Sequence, residues 1–194
     1  MLEYIILGAL YKDALTGYDI RKCIDSGIGM FYRASYGSVY PLLGRLSGKG
    51  YVICANEVEG KRKKKKYSIT ESGRKAFIEW LKEDDHDGNS MELFMAKVFY
   101  YDLLPREMAY RKISRYEEKL TDYYQELLKK KETYEAMEHP ELFYFKLSTL
   151  YSGICKLQSI ITWCETVKRG KSLDTLIQPI ERNEVSCKIS YELI

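Results

Sequence analysis

Tyr51-Val52-Ile53-Cys54-Ala55-Asn56-Glu57-Val58-Glu59-Gly60-Lys61-Arg62-Lys63-Lys64-Lys65-Lys66-Tyr67-Ser68-Ile69 is the stretch on which the fold turns. Tyr51 to Val58 reads as one strand, Glu59-Gly60 as the turn, and Lys65 to Ile69 as the returning strand. Six consecutive cations, Lys61, Arg62, Lys63, Lys64, Lys65 and Lys66, then fall at the hairpin tip and on the return strand. Like charges crowded on a short hairpin repel one another, so they cost stability unless an anion neutralises them. Contact with DNA phosphates would do so, and the counterions released from the DNA would drive the binding. A lysine run alone is more often a solvated face. Its place between two strands makes it the wing of a winged helix.

Upstream of the hairpin lie three helices. Leu2, Ile5, Ile6, Ala9 and Leu10 share one helical face. Thr16, with Asp19 three residues on, is spaced as a capping box for a second helix carrying Tyr18, Ile20, Cys23 and Ile24. A third helix starts between Ser35 and Ser38 and ends at Gly48-Lys49-Gly50, burying Val39, Leu42, Leu43 and Leu46. Pro41 is tolerated in its first turn if Ser38 is the cap. The outward positions of this helix, Ser35, Tyr36, Ser38, Tyr40, Arg45 and Lys49, are the candidates for contacting bases and phosphates in a major groove. Arg33, just before it, is a further phosphate candidate. An ordinary amphipathic helix with a solvated face would look the same; the adjoining basic hairpin favours the DNA-reading role.

Downstream, Thr70 caps a fourth helix, Glu71 to Lys82, with Ala76, Phe77, Trp80 and Leu81 inward. The polar, turn-rich segment 84–90 reads as a linker between a domain at 1–83 and a helical domain at 91–170. The latter comprises a densely apolar Met91 to Leu103, a helix opened by Pro105, and another opened by Pro140 that runs to about Lys168. Residues 171–194 show no clear period. The expected fold is therefore mainly α with a small β-hairpin wing, a winged helix-turn-helix domain followed by an α-helical dimerisation domain.

Charge follows the same division. Residues 1–82 hold 15 Lys and Arg against 8 Asp and Glu, whereas 83–194 hold 16 against 20, so only the first part is expected to meet a polyanion. No apolar run reaches the length of a membrane span. The opening segment has an acid in its apolar stretch and no basic start, and reads as a core helix rather than a signal peptide. Five scattered cysteines without a C-x-x-C suggest reduced thiols in a cytoplasmic protein, with neither disulfide framework nor zinc site. The two histidines, His86 and His139, fall in expected linkers, and no nucleophile motif or phosphate loop is present. Neither an enzyme nor a metal or cofactor is expected.

Phe31-Tyr32-Arg33-Ala34-Ser35-Tyr36-Gly37-Ser38-Val39-Tyr40-Pro41-Leu42-Leu43, then Leu46 and Lys49-Gly50-Tyr51-Val52, resembles the PadR family of transcriptional regulators. Tyr67-Ser68-Ile69-Thr70-Glu71-Ser72-Gly73 is similar to that family's step from wing to helix, and Thr16-Gly17-Tyr18-Asp19-Ile20 to its second helix. The resemblance covers residues 2–82. The rest is similar in layout to the longer members with a helical dimerisation domain. It implies a repressor that binds a dyad-symmetric operator on double-stranded DNA as a homodimer and is released by a small hydrophobic effector. No effector-contacting residue carries over by position.

The helices themselves also suggest a dimer. Phe143, Leu147, Leu150, Ile154, Leu157, Ile161 and Cys164 step by four and three as a heptad seam. Packing of the last two helices on each other within one chain would explain one seam. Few charges occur between Glu141 and Lys168, however, so the last helix needs cover nearly all round, which a two-fold partner explains better. The seam residues form the expected dimer interface. A second function stays open on sequence alone: a winged-helix module whose lysines meet an acidic protein rather than DNA.

Overall fold

The apolar spacing of the first residues produces α1 (Leu2–Ala9), which buries Ile5, Ile6 and Leu7, with Leu10 just beyond it. The structure is a computed structural model that describes residues 1–31, 37–59, 62–84 and 91–177. After α1 the chain forms a two-residue strand, β1 (Leu15–Thr16), that leads directly into α2 (Gly17–Ser26). The Thr16 hydroxyl accepts from the Asp19 N–H at 3.2 Å and donates to the Asp19 carboxylate at 2.6 Å. The expected cap is therefore in place, and this bond holds the Asp19 carboxyl below its usual range.

The third helix, α3 (Val39–Gly48), buries Val39, Leu42, Leu43 and Leu46, as its spacing requires. Ser38 precedes it in the cap position, but its backbone is already helical and its side chain makes no cap bond to the helix. At the other end Gly50 takes a φ of 72°, which lets the Tyr51 N–H reach the Leu46 carbonyl at 2.9 Å and close the helix. The chain then enters β2 (Val52–Glu59) and returns as β3 (Arg62–Ile69).

β2 has the expected length shifted by one residue, whereas β3 is longer than the sequence pattern suggests and is central. It pairs antiparallel with β2 on one side and with β1 on the other, through Leu15↔Tyr67 and Thr16↔Lys66. A two-residue strand has too little periodicity to be read from sequence, so β1 was legible only as a helix start. Thr70 then turns the chain into α4 (Glu71–Lys82), accepting from the Gly73 N–H at 3.1 Å and donating to the Gly50 carbonyl at 2.7 Å. Phe77, Trp80 and Leu81 of α4 are buried, Tyr4 of α1 stacks on Trp80, and Arg74 donates to the Tyr11 carbonyl.

The chain divides into two compact units, Met1–Lys112 and Ile113–Ile194. The first reaches well past the linker expected at 84–90, of which only Asp84 is described. It takes in α5 (Met91–Val98), a 3-10 turn at Tyr101–Leu103 and the start of α6 (Arg106–Glu135). Packing explains this. The Tyr100 ring meets Phe77 edge-on at 5.2 Å, and buried Lys97 donates to the Glu83 carbonyl at the end of α4. Turn-rich composition marks where the chain is polar, not where its cores part.

The second unit contains the remainder of α6, a 3-10 turn at Pro140–Phe143, α7 (Tyr144–Lys168) and a 3-10 turn at Leu173–Leu176. Leu127 of α6 and Ile154 and Leu157 of α7 form its core, flanked by Leu120, Tyr124, Leu128 and Leu150. Lys168 donates to the Glu117 carboxylate, tying the two helices at one end. Among the described residues no helix is long and apolar enough to cross a membrane.

Candidate nucleic-acid interface

The same four buried residues that fix α3 in the core determine what its other side presents. Tyr40, Pro41, Gly44, Arg45, Gly48 and Lys49 are exposed, and Ser38 is half-buried. Tyr40 is 61% exposed, yet one edge of its ring lies on the first residue of α2. A Cβ on Gly17 would come within 2.6 Å of that ring, so only glycine permits the contact. Helix-turn-helix packing thus holds Tyr40 from behind while leaving its outer face open.

Lys49 has an unexpected neighbour. It lies at the C-terminal end of α3 and donates to the Glu3 carboxylate of α1 at 2.7 Å, a bond that raises its pKa. The pair lies at the surface, where such a bond is worth little, so it orients Lys49 without burying its charge. Ser35 and Tyr36, along with Arg33, lie outside the described residues, so Ser38, Tyr40, Arg45 and Lys49 are the reading positions that can be located.

Tyr18 enters the surface unexpectedly. It was grouped with Ile20, Cys23 and Ile24, but is 71% exposed, whereas Ile20 and Ile24 are buried and Cys23 is exposed. The signal was present in the sequence. In a helix Tyr18 shares its face with Arg21 and Lys22, three and four residues on, and not with Ile20.

Strand alternation sorts the wing lysines, which look equivalent in sequence. Lys66 pairs with Glu57 at 3.0 Å, and Lys64 is close enough to Asp19 to help lower its pKa. Lys65, the residue between them, stands opposite Asn56, is exposed and has no ion-pair partner among the described residues. Lys61 lies outside the described residues. Arg62 and Lys63 occupy β3 opposite Glu59 and Val58. The wing and α3 are joined through β1, because Leu15-Thr16 both pairs with β3 and starts the helix that supports Tyr40.

Residues 6–79, a span holding α2, α3, the three strands and most of α4, match the family described as "Transcriptional regulator PadR-like family". That matched span is PadR-like. The chain is 32% identical over 111 residues to the negative transcriptional regulator PadR of Bacillus subtilis, covering 56% of this chain and 61% of that one. It is 30% identical over 83 residues to the probable transcriptional regulator Rv1176c of Mycobacterium tuberculosis, covering 42% and 44%. The chain thus spans less than two thirds of either curated relative. The crystal structure of Bacillus subtilis PadR in complex with operator DNA is similar at 24% identity, with a TM-score of 0.44, over 87% of this chain and 97% of that one.

The seam expected to pair two PadR-like chains lies outside the matched span, and most of it is otherwise engaged. Ile154 and Leu157 are buried and Leu150 is packed within the second unit, against Leu127 and its neighbours on α6. Cys164 is fully buried, which pushes its thiol up to about 12. Phe143 falls in the 3-10 turn before α7 and meets the Tyr134 ring, while Leu147 and Ile161 are half-buried. Heptad spacing identifies a helix face that needs a partner, but not which helix supplies it. Leu142, Tyr144, Phe145 and Tyr151 remain exposed, Phe145 by 82%.

Proposed function

We propose that this PadR-like chain is a sequence-specific DNA-binding transcriptional regulator, a repressor that acts in the cytoplasm as a homodimer on a dyad-symmetric operator. The observation that carries this reading is the pairing, on one unit, of an α3 whose outer face presents Tyr40 and Arg45 with a lysine-rich wing anchored to the same helix-turn-helix. The family match and the name of the Bacillus subtilis relative, a negative regulator, support the same assignment. α3 would enter the major groove with Ser38, Tyr40 and Arg45 towards base edges, with Ser35 and Tyr36 expected beside them. The wing would supply phosphate contacts and affinity with little discrimination. Dimerisation would place two such units on the two half-sites, and the exposed aromatics around Phe145 supply apolar surface for it. A small hydrophobic effector would release the DNA.

Fluorescence anisotropy with the duplex upstream of the chain's own gene, against a random duplex of equal length, tests this reading. The expected result is tighter binding to the upstream duplex and a steep loss with salt. No binding to either duplex at low salt, with binding to an acidic polypeptide, would establish the protein-interaction reading in its place.

A further inference from the structure

A cavity of about 740 Å³ opens in the first unit beside the C-terminal half of α2, and none of its lining residues belongs to α3 or to the hairpin. Tyr11, Leu15, Phe99, Tyr100 and Leu103 give it an apolar, largely aromatic wall. Phe99 is 53% exposed and rests on Gly27, where a Cβ would come within 2.9 Å of the ring. Such a volume lies in the range that holds drug-sized molecules, and flat rings suit aromatic walls.

The charge at its edge selects among such molecules. Lys12, Asp13 and Asp102 line the cavity and are exposed, giving two carboxylates to one ammonium. Neither carboxylate has an ion-pair partner among the described residues. Carboxylates on a surface are ordinarily just solvated. Over an apolar cavity they favour a ligand that buries its rings and leaves a cation at the mouth, and they disfavour an aromatic carboxylate.

The cavity also has a route to the reading helix. Cys23, Ser26 and Gly27 line it from the C-terminal end of α2, and Gly17 at the other end of that helix supports Tyr40. A rigid ten-residue helix moves as one body, so a ligand that displaces one end shifts the other. We propose that this cavity is the effector site, that it takes a flat aromatic monocation, and that occupancy acts on DNA binding through α2. The regulatory half of this proposal rests on the DNA-binding reading above; the binding half does not.

Tryptamine and indole-3-propionate carry the same ring with opposite charge and serve as probes. Calorimetry on the full chain without DNA should give tryptamine at least about tenfold the affinity of the acid. Tryptamine should also slow alkylation of Cys23 by iodoacetamide severalfold, read by peptide mass spectrometry, and leave exposed Cys54 and Cys155 unchanged. The double substitution Asp13→Asn and Asp102→Asn, whose fold is checked by circular dichroism, should shrink the preference to about twofold or less. No heat with either probe, a preference for the acid, or binding without protection of Cys23 overturns the site. Saturating tryptamine that leaves the affinity for the upstream duplex unaltered overturns the effector role. Tryptamine binding with Cys23 protection, in a chain that holds no duplex at all, overturns the DNA-binding reading and leaves the site standing.

Discussion

Replacing Lys65 and Lys66 separately with glutamine discriminates between a wing whose cations act as a pool and one sorted by strand alternation. Lys65 faces no carboxylate among the described residues, whereas Lys66 is bound to Glu57 at 3.0 Å. Each phosphate neutralised on duplex DNA contributes about 0.9 to the slope of log affinity against log salt. Two wings per homodimer make Lys65→Gln worth about 1.8 units of slope. Between 50 and 200 mM salt the wild-type affinity should then fall roughly twelvefold more than that of the variant. Lys66→Gln should change the slope by less than about half as much, because an internal ion pair releases few counterions. Anisotropy titrations on a random duplex at four or more salt concentrations measure both. If the Lys65 variant kept the wild-type slope, the wing would not be the electrostatic anchor. If the Lys66 variant lost as much as the Lys65 variant, the ion pair with Glu57 would have no bearing on binding.

Three further outcomes follow from the geometry. Tyr40→Ala, or Gly17→Ala acting by displacing the same ring, should lower the ratio of operator to random-duplex affinity by about 1–3 kcal/mol in competition titrations and leave the salt slope unchanged. Ile154→Ala should lower the stability of the helical unit by about 2–4 kcal/mol in denaturant melts, whereas Phe145→Glu should leave the melt alone and shift sedimentation towards monomer. Asp19 has a folded pKa below its unfolded value, chiefly because the Thr16 hydroxyl donates to it, so its contribution is full above an ordinary carboxylate pKa of about 3.9 and is lost as pH falls through the lowered folded value. The stability gap between wild type and Asp19→Asn should therefore close as pH is lowered from about 6 to about 2; a gap constant across that range would mean that the charge is immaterial.

The winged-helix elements were legible because each carries a local signal: the four-residue spacing of Val39, Leu42, Leu43 and Leu46, the Thr16 and Thr70 caps, and the change to period two after Gly50. What escaped depends on contacts between residues far apart in the chain. Nothing near Lys49 announces that Glu3, 46 residues earlier, will hold it, and nothing near Tyr100 announces Phe77. Those contacts are why Lys49 is oriented by α1 and why the first unit runs to Lys112. The seam on α7 was legible as a face that needs cover, and α6 of the same chain covers the part of it at Leu150, Ile154 and Leu157. Tyr18 is a different case: its spacing from Arg21 and Lys22 puts it on the outer face, a local signal that grouping it with its apolar neighbours passes over.

The two residues of β1 impose a rule on how this protein can be rebuilt. Thr16 is at once a partner of Lys66 in the sheet and the cap on which α2 begins, and the next residue supports Tyr40. The tilt of the wing and the entry angle of the helix-turn-helix are consequently one mechanical variable, set by a dipeptide. A wing transplanted from a relative would retain its pitch only if residues 15–17 travelled with it. Exchanging the hairpin alone would re-aim the reading helix even though none of its own residues had changed.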